Sequence, residues 1–394
     1  MGLGGAFAAL ADDATAAYAN PAGLGQLIDP EVSLEGRYSS YDIPFVQGGR
    51  GSGEPTGIGI DTVAGLTYGK SSRSQIEVPF AAFVYPVGKW SLALYRHTWA
   101  DFELNSEING LFGFDAGELA RSEDVLSRTR VKVVNTGFST AFELGEKFSL
   151  GLGVVYFESE MDSFSAEYGQ AEEGFFERNS FAPELLDTTY SHTASDSGFA
   201  LNAGFLWRVS PQWSLGGYFR EGPRMTLRVV EVVGPFDDEK VEGTIELDAT
   251  TPLNLPDVYG LGLAFRTRDG AWTTSLEWRH VEYSSITADL SPTVFDPGKI
   301  QIADGDELHL GIEYVLVRMK PILALRVGAW KDPAHRVEAG PLADTFEQIV
   351  FQRADAEIHL SAGLGLVFEH FQVDLGADFS ETSDLASLSV VYRF

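Results

Sequence analysis

The stretch Leu308–Leu316, which reads LHLGIEYVL, decides the fold, because every second residue in it is apolar. Its even-numbered positions are all apolar, whereas its odd-numbered positions include His309, Gly311 and Glu313. A period of two puts neighbouring side chains on opposite faces of a β-strand. The same alternation recurs over most of the chain after residue 30, as in the segments 148–156, 199–208, 259–266 and 272–280. The sequence therefore predicts an all-β protein.

The face opposite the apolar one carries Gly, Ala, Ser and charged residues, which suits a wet or ligand-lined lumen better than a sandwich core. Some strand-like runs, such as 193–209, are longer than the ~9–11 residues with which a tilted strand crosses a membrane. We count about fourteen such runs, within the usual boundary error. The pattern predicts a transmembrane antiparallel β-barrel of about 14 strands.

The connections between these runs alternate in length, as they do in outer-membrane barrels. Short turns are predicted at 87–89, 144–146, 209–212, 268–270 and 369–370. Long acidic loops are predicted at 101–129, 158–195, 231–252, 285–306 and 332–352. The chain ends with Ser387–Phe394, an alternating apolar strand that closes on Phe and resembles the C-terminal assembly signal of such barrels. This ending makes the barrel-assembly machinery an expected partner.

The composition excludes several classes of protein. The formal net charge of −29 speaks against nucleic-acid binding, which needs a cationic surface. The absence of cysteine excludes a disulfide-stapled domain and a thiolate metal site. No stretch reaches the ~18 consecutive apolar residues of a spanning helix. The start Met1-Gly2-Leu3 has no basic region typical of a signal peptide, so we expect a mature or truncated chain.

Residues 1–28 differ from the rest and are predicted to form a separate unit, while residues 29–394 form the barrel. The segment is rich in Gly and Ala, and 9–19 is predicted as a short helix that ends before Pro21. Its elements Gly2–Phe7, Ala11–Ala14 and Asn20–Leu24 resemble the hatch of the FadL-like outer-membrane transporters of long-chain fatty acids and aromatic hydrocarbons. The Asn-Pro-Ala element is the most recognisable of these.

Later segments resemble the same family, so that the resemblance spans nearly the whole chain: Leu255–Gly262, Leu325–Ala329, Gly363–Gly365 and the closing strand. It implies a fourteen-stranded barrel whose lumen is blocked by the hatch. It also implies that ligand is captured outside, held in an internal pocket and released sideways near a kinked third strand. The family's N-terminus usually extends further before the Gly-rich segment than it does here. A related branch shuttles and anchors surface proteins in a secretion system, and this scaffold role is the alternative function.

The resemblance indicates a set of hatch or gating residues, which are Gly4, Phe7, Asp12, Asp13, Asn20, Pro21 and Ala22. The acidic residues and the asparagine of this set can bond the hatch backbone or inward arginines, and a purely structural role is the alternative. Proline cannot donate to a strand ladder. Pro79, near the third strand-like run, is therefore the candidate for the lateral opening, whereas Pro86 is interpreted as a strand-end proline.

A carboxylate ligand needs a cation or a cluster of donors at the end of an apolar pocket. By strand parity, four arginines point inward and are candidates for this role: Arg208, Arg266, Arg279 and Arg326. The alternative is that they pair with lumen carboxylates such as Glu277 and Glu313. Five apolar residues of the acidic stretch 158–197 predict either an outer landing groove or buried loop anchors: Phe175, Phe176, Phe181, Leu185 and Leu186.

An enzyme is not expected, because the seven histidines are scattered and no HExxH or GxSxG motif occurs. We also expect no cofactor and no metal. The predicted function is passive transport of hydrophobic small molecules, such as long-chain fatty acids or hydrocarbons, in the bacterial outer membrane. The expected partners are that ligand, outer-membrane lipid and lipopolysaccharide, with the barrel acting as a monomer.

Overall fold

The computed structural model describes residues 1–115, 117–170, 174–234, 245–289 and 298–394. Its strands are β1 (Glu31–Arg50), β2 (Leu66–Val87), β3 (Trp90–Ile108), β4 (Leu111–Asp115), β5 (Glu118–Arg121), β6 (Asp124–Leu144), β7 (Phe148–Tyr168), β8 (Leu186–Arg208), β9 (Trp213–Arg220), β10 (Arg224–Gly234), β11 (Ile245–Asn254), β12 (Val258–Arg266), β13 (Trp272–Val281), β14 (Ile300–Gln301), β15 (Gly305–Leu316), β16 (Ile322–Asp332), β17 (Glu338–Ala339), β18 (Glu357–Val367), β19 (Phe371–Phe379) and β20 (Ser383–Arg393). Its helices are α1 (Ala16–Ala19), α2 (Ser285–Ala288) and α3 (Thr345–Val350), with 3₁₀ turns at Pro21–Gln26 and Pro183–Leu185. None of the helices that the structure describes is long and apolar enough to cross a membrane.

The sheet closes on itself, because β1 pairs antiparallel with β2 on one side and with β20 on the other. β9 and β10 are two halves of one span, interrupted at 221–223, and β11 and β12 are two halves of the next, interrupted at 255–257. Two small pairs, β4 with β5 and β14 with β17, lie outside the ring. Over the described residues the ring has fourteen antiparallel spans, which confirms the predicted barrel.

The outer face of the barrel is apolar, as in a membrane-spanning barrel. Leu152 and Phe199 are 64% and 72% exposed, whereas the inward side chains of Ser139 and Asn202 are buried. Near the tight turns, aromatic side chains of neighbouring strands contact each other in the pairs Trp90–Phe142, Phe148–Phe205, Trp213–Phe265, Trp272–Tyr314 and Phe368–Phe371. These pairs form an aromatic girdle at what we call the short-turn end. The opposite end, with the longer connections, is the long-loop end.

Three of the predicted acidic loops, 101–129, 158–195 and 231–252, are wrong in extent, because much of each is strand. β6 and β7 pair along their whole length, from Asp124 opposite Tyr168 to Leu144 opposite Phe148. The polar residues in these stretches form cross-strand ion pairs, for example Arg128–Glu103 at 3.2 Å. Strands of this length project well beyond the bilayer. Parts of the predicted loops 231–252 and 285–306 lie outside the described residues.

The predicted helix at 9–19 is also largely wrong, because only its last four residues are helical, in α1. The residues before α1 form turns against the barrel wall, with Ala11 at φ 41°. As predicted, the helix ends at Asn20, which is extended and is followed by the 3₁₀ turn that starts at Pro21.

Candidate functional site: the lumen

The N-terminal segment, residues 1–28, lies against the inner wall on a row of glycines. We call this row the glycine belt, and its members are Gly151, Gly204, Gly216, Gly262, Gly311, Gly328 and Gly363. A Cβ atom built on any of them would lie only 2.0–3.0 Å from an atom of the N-terminal segment. Real Cβ atoms do not tolerate contacts this short, so the belt is the groove in which the segment's backbone lies.

Wall side chains satisfy the polar backbone of the N-terminal segment. The carboxylate of Glu277 accepts hydrogen bonds from the backbone N–H groups of Phe7 and Ala8, at 2.8 and 2.7 Å. Further wall groups that bond this backbone are Ser139, Ser149, Asn202, Ser214, His309 and Ser361. A buried backbone without such partners would be strongly destabilised. The segment is therefore seated by specific bonds as well as by shape.

The predicted hatch residues occupy different positions along this segment. Asn20 is fully buried, and its side-chain amide donates to the carbonyl oxygens of Ala8 and Phe205 at 2.8 and 3.1 Å. Gly4 lies against the wall at φ 60°, and Phe7 packs between two apolar clusters. The remaining members are Asp12 beside Arg266, Asp13 bonded to Thr15, Pro21 at the start of the 3₁₀ turn, and Ala22 on Gly151.

The half of the lumen lined by β12–β20 is charged and internally paired. Arg279 bonds Glu307 at 2.8 Å and Glu277 at 3.2 Å. Arg326 bonds Glu313 at 2.8 Å and Asp374 at 2.5 Å. Two further pairs are Arg393 of β20 with Glu31 of the adjoining β1, and His359 with Asp378. These contacts build a network in which each arginine already has a carboxylate partner.

The four predicted ligand-binding arginines are not brought together. Arg208 lies near the short-turn end with Glu143 at 4.0 Å, and Arg266 contacts Asp12 at 3.2 Å. Arg279 and Arg326 belong to the two separate groups of carboxylates described above. All four therefore have an acidic neighbour within 4.0 Å.

The half of the lumen lined by β2, β3, β6, β7, β8 and β10 is apolar. Its wall cluster contains Phe80, Tyr95, Val133, Val155, Phe157, Ala200 and Met225, against which Leu24 and Tyr18 of the N-terminal segment pack. A cavity of about 520 Å³ lies between the N-terminal segment and the wall. Phe80 and His97 line it on the apolar side, and Glu313 and Arg326 line it on the charged side. A volume of this size lies within the range of small-molecule sites.

The ladder between β2 and β3 is open over half of its length. Pairing runs from Val87–Trp90 and stops at Phe80–His97, so that residues 66–79 and 98–108 have no ladder between them. At that point Pro79 and Val78 form a bulge opposite Gly36. Trp99 forms a second bulge on β3 against β6. We call the open stretch the β2–β3 seam. Pro79 lies next to the last ladder pair, Phe80–His97, where the seam begins, whereas Pro86 lies opposite Ser91 of β3 near the turn.

Only side-chain contacts bridge the β2–β3 seam in the part of the chain that the structure describes. Gln75 donates to the carbonyl of Asp101 at 3.0 Å, the backbone N–H of Asn105 donates to Ser71 at 2.8 Å, and Arg73 pairs with Glu103. The ladder between β8 and β10 is interrupted as well. There, however, Ala200 of β8 and Met225 of β10 are buried in one apolar cluster.

The aromatic residues predicted for an outer groove pack within the long-loop end. Phe175 and Phe176 contact Phe112, which is buried, and Phe181 contacts Tyr168. Leu185 and Leu186 are half-buried where the 3₁₀ turn meets β8. Close by, Arg50 and Asp61 form a fully buried ion pair, and this hydrogen-bonded guanidinium holds the pKa of Asp61 well below its usual range. The loops at this end are thus held by an internal core.

Sequence reasoning missed two features of the lumen. The first is the glycine belt, whose members are spread over seven strands and align only once the register is known. The second is Arg220 at the end of β9, which contacts the rings of Tyr18 and Tyr218. Strand parity in 213–220 places Arg220 on the same face as Gly216 and Tyr218, so this signal was present in the sequence.

Known proteins share this architecture. Residues 1–328 match the model of the family described as outer membrane protein transport protein (OMPP1/FadL/TodX). The chain belongs to this family. A comparison with curated protein sequences found no match.

Several solved structures share the fold at low sequence identity. The chain resembles a Pseudomonas aeruginosa FadL homologue (TM-score 0.67, 14% identity, 100% of this chain and 96% of that chain covered). It also resembles the CymD monoaromatic hydrocarbon channel (0.61, 14%, 100% and 96%) and the Ralstonia pickettii toluene transporter TbuX (0.58, 14%, 100% and 97%). The protein is thus an outer-membrane transport β-barrel of the FadL/TodX family. Within the family fold, the lumen of this barrel is divided into an apolar half and an ion-paired half.

Proposed function

We propose that this FadL/TodX-family barrel passes small hydrophobic molecules, such as long-chain fatty acids or aromatic hydrocarbons, inward across the bacterial outer membrane by passive diffusion. In this proposal residues 1–28 act as a hatch that blocks water and polar solutes. The observation that carries the proposal is the apolar half of the lumen. Its apolar lining extends from Leu24 and Tyr18 of the N-terminal segment to Phe80 of the barrel wall, which lies next to the β2–β3 seam.

We further propose that the ligand leaves sideways through the β2–β3 seam. A hydrophobic molecule is stabilised in the bilayer relative to the aqueous periplasm, so an opening in the wall suits it better than an axial pore. The bridging contacts at Gln75, Arg73 and Ser71 are side-chain contacts that can open without breaking a backbone ladder. Ala200 and Met225, which are buried in one apolar cluster, make the β8–β10 interruption a poorer exit.

The ion-paired half of the lumen is assigned a structural role in this proposal. The carboxylates of Glu277 and Glu307 hold the N-terminal segment directly or through His309. Removing one partner of such a buried pair leaves an uncompensated charge, which is strongly destabilising. This half therefore keeps the hatch seated while the apolar half conducts ligand.

The test is uptake of labelled oleate and of toluene by cells that lack their own outer-membrane fatty-acid transporter and express the chain behind a signal peptide. Uptake above an empty-vector control supports the proposal, and the preferred probe identifies the ligand class. A matched control is the same barrel cross-linked at the seam, which inserts but is expected to conduct poorly. Absence of uptake by a correctly inserted barrel would instead favour the scaffold role in holding or shuttling surface proteins.

A further inference from the structure

Two neighbouring turns at the short-turn end carry three exposed cations. Arg268 lies in the turn between β12 and β13, and Arg318 and Lys320 lie in the turn between β15 and β16. Because β13 pairs with β15, and the backbone N–H of Val315 donates to the carbonyl of Ala271 at 2.8 Å, the two turns lie side by side. We call the three cations the cationic arc.

The side chains of the cationic arc have few partners within the protein. In the part of the chain that the structure describes, the side chains of Arg318 and Lys320 form no hydrogen bond and no ion pair. The guanidinium of Arg268 donates one hydrogen bond, to the side-chain oxygen of Gln212 at 3.3 Å. Asp269, the neighbouring acid, accepts two hydrogen bonds within its own turn. Most donors of the cationic arc are therefore available to a group outside the protein.

The cationic arc lies at the depth of the lipid headgroups. Trp272 of β13 and Tyr314 of β15 form one pair of the aromatic girdle at the short-turn end. Such girdles lie where the hydrocarbon of the bilayer meets the polar interface. Arg268 precedes Trp272 by four positions, and Arg318 follows Tyr314 by four. Since the short turns of outer-membrane barrels face the periplasm, these cations lie near the phosphates of the inner leaflet.

Exposed apolar side chains alternate with the cations of the β15–β16 turn. Val317 and Met319 lie on either side of Arg318, and each is 46% exposed. Apolar surface is unfavourable in water and is stabilised beside acyl chains. A phospholipid presents phosphate and hydrocarbon together, whereas a polysaccharide or an acidic soluble protein does not. The alternation therefore favours a lipid as the partner of this turn.

The cationic arc lies on the side of the barrel opposite the β2–β3 seam. The seam separates the second and third of the fourteen spans, whereas the two turns of the arc flank the ninth and tenth, β13 and β15. The ladder between β13 and β15 is continuous. The turns on the seam side balance their charges, because Lys89 and Lys147 lie with Glu143 and Glu146. The arc thus makes the short-turn end more positive on the side away from the seam.

We propose that the cationic arc binds the phosphate of an anionic phospholipid, of the phosphatidylglycerol type, in the inner leaflet of the outer membrane. The guanidinium groups of Arg268 and Arg318 donate charge-assisted hydrogen bonds to the phosphate oxygens, and Lys320 adds its point charge. Val317 and Met319 contact the acyl chains of the same lipid. The site concerns membrane contact, lies half the ring away from the seam and does not depend on the proposed transport function.

The experiment compares two lipids on the purified full-length barrel in a neutral detergent. Dioleoyl phosphatidylglycerol is anionic, whereas dioleoyl phosphatidylcholine has the same acyl chains and no net charge. Titrations followed by native mass spectrometry give the dissociation constant of the tightest-bound lipid. The wild type is expected to bind phosphatidylglycerol at least about tenfold more tightly, equivalent to about 1.4 kcal/mol. This preference should shrink as the ammonium acetate concentration is raised, because exposed charges are screened.

The variants locate the preference on the barrel. The double variant Arg318→Gln/Lys320→Gln should lose most of the preference by weakening phosphatidylglycerol binding, with phosphatidylcholine binding unchanged. Adding Arg268→Gln should remove the remainder. The matched control Lys89→Gln/Lys147→Gln removes the same charge from turns on the seam side and should keep the wild-type preference.

Equal affinity of the wild type for the two lipids, or an equal loss of preference in the arc variant and the control, would overturn the lipid site. Binding of the wild type but not of the arc variant to purified peptidoglycan, without a lipid preference, would assign these cations to the cell wall instead. Heat-modifiable migration in gels checks that each variant is folded. If the double variant does not fold, Arg318→Gln and Lys320→Gln are measured singly, and each should weaken phosphatidylglycerol binding alone.

Discussion

The side-chain amide of Asn20 donates to the carbonyl of Phe205 on β8, 3.1 Å away, at a point where the wall residue is Gly204. A Cβ at position 204 would lie 2.1 Å from the Asn20 Oδ1 atom, so glycine is required there for the bond to form. The same amide donates to Ala8, and its oxygen accepts from the backbone N–H of Ala22. One buried side chain therefore ties two distant parts of the N-terminal segment to the barrel.

Replacing Asn20 with alanine should loosen the N-terminal segment. The substitution removes two donated bonds and leaves buried carbonyls unpaired, at a cost of about 1–3 kcal/mol. We expect increased entry of hydrophilic antibiotics and larger single-channel conductance, with the barrel itself still folded. The matched control is Asn254→Ala, whose amide bonds Asp289 at an exposed site. Unchanged permeability in Asn20→Ala would contradict a blocking role of residues 1–28.

Adding a methyl group to a residue of the glycine belt should push the N-terminal segment away from the barrel wall. In Gly328→Ala the new Cβ would lie 2.2 Å from the backbone nitrogen of Gly4, and neither chain can yield without moving backbone. Overpacking of this kind costs about 1–3 kcal/mol. Limited proteolysis should cut the segment faster than in the wild type. Gly36→Ala is the control, because its nearest neighbour is 4.0 Å away, and equal cleavage of both variants would refute the fit.

The barrel could be predicted because alternate residues of each strand face the lipid and the lumen, which favour apolar and polar side chains respectively. In Leu308–Leu316 the outward positions are apolar, and this constraint is local enough to be visible in nine residues. The local pattern led to wrong loop predictions where charged residues pair across strands. Arg128 and Glu103 belong to polar stretches typical of loops, yet they form a diagonal ion pair within the ladder between β3 and β6, in which Glu103 lies opposite Arg130. Polarity alone does not distinguish a loop from a strand that projects into water.

The candidate site was less accessible to prediction because its partners are distant in sequence. Strand parity correctly predicted that Arg279 and Arg326 point toward the lumen. Which carboxylates neutralise them depends on the register of the neighbouring strands. Glu277 was recognised as a lumen acid, whereas its bonds to Phe7 and Ala8 require the path of the N-terminal segment. Strand parity gives a direction, and only the three-dimensional neighbours decide whether an arginine is free.

Cross-linking across the β2–β3 seam should stop ligand exit. The chain has no native cysteine, so the pair Arg73→Cys and Glu103→Cys can be joined selectively with a short bis-methanethiosulfonate, which forms a reducible disulfide with each thiol and releases methanesulfinate. We expect oleate uptake to fall to near background and to recover on reduction, since the bond blocks separation of the strands. The control pair, Thr136→Cys and Tyr156→Cys, joins β6 to β7 where the ladder is complete. Full uptake through the cross-linked seam would rule it out as the exit.

Replacing Pro79 with threonine should narrow the same opening. Threonine supplies the backbone N–H that proline lacks and favours extended strand geometry, so pairing can extend beyond Phe80–His97. We expect slower uptake with unchanged ligand binding, measured as separate quantities. Pro86→Thr, at the fully paired end of β2, should transport normally. If uptake by Pro79→Thr equals that of the wild type, Pro79 has no part in the mechanism.

The connection after β16 should loosen as the pH rises through the neutral range. The carboxylate of Asp332, 3.3 Å away, raises the pKa of His335, whose ring also stacks on Tyr283. The stabilisation by protonated His335 is fully present below the ordinary histidine pKa of ~6.5 and is lost as the pH passes the raised value. Proteolysis within 333–344 should therefore be slowest below pH ~6.5 and should accelerate as the pH rises through the raised pKa of His335. His335→Gln should be cut at a pH-independent excess rate, whereas His370→Gln, at the short-turn end, should keep the wild-type profile. A flat profile in the wild type would show that the His335–Asp332 pair does not hold this connection.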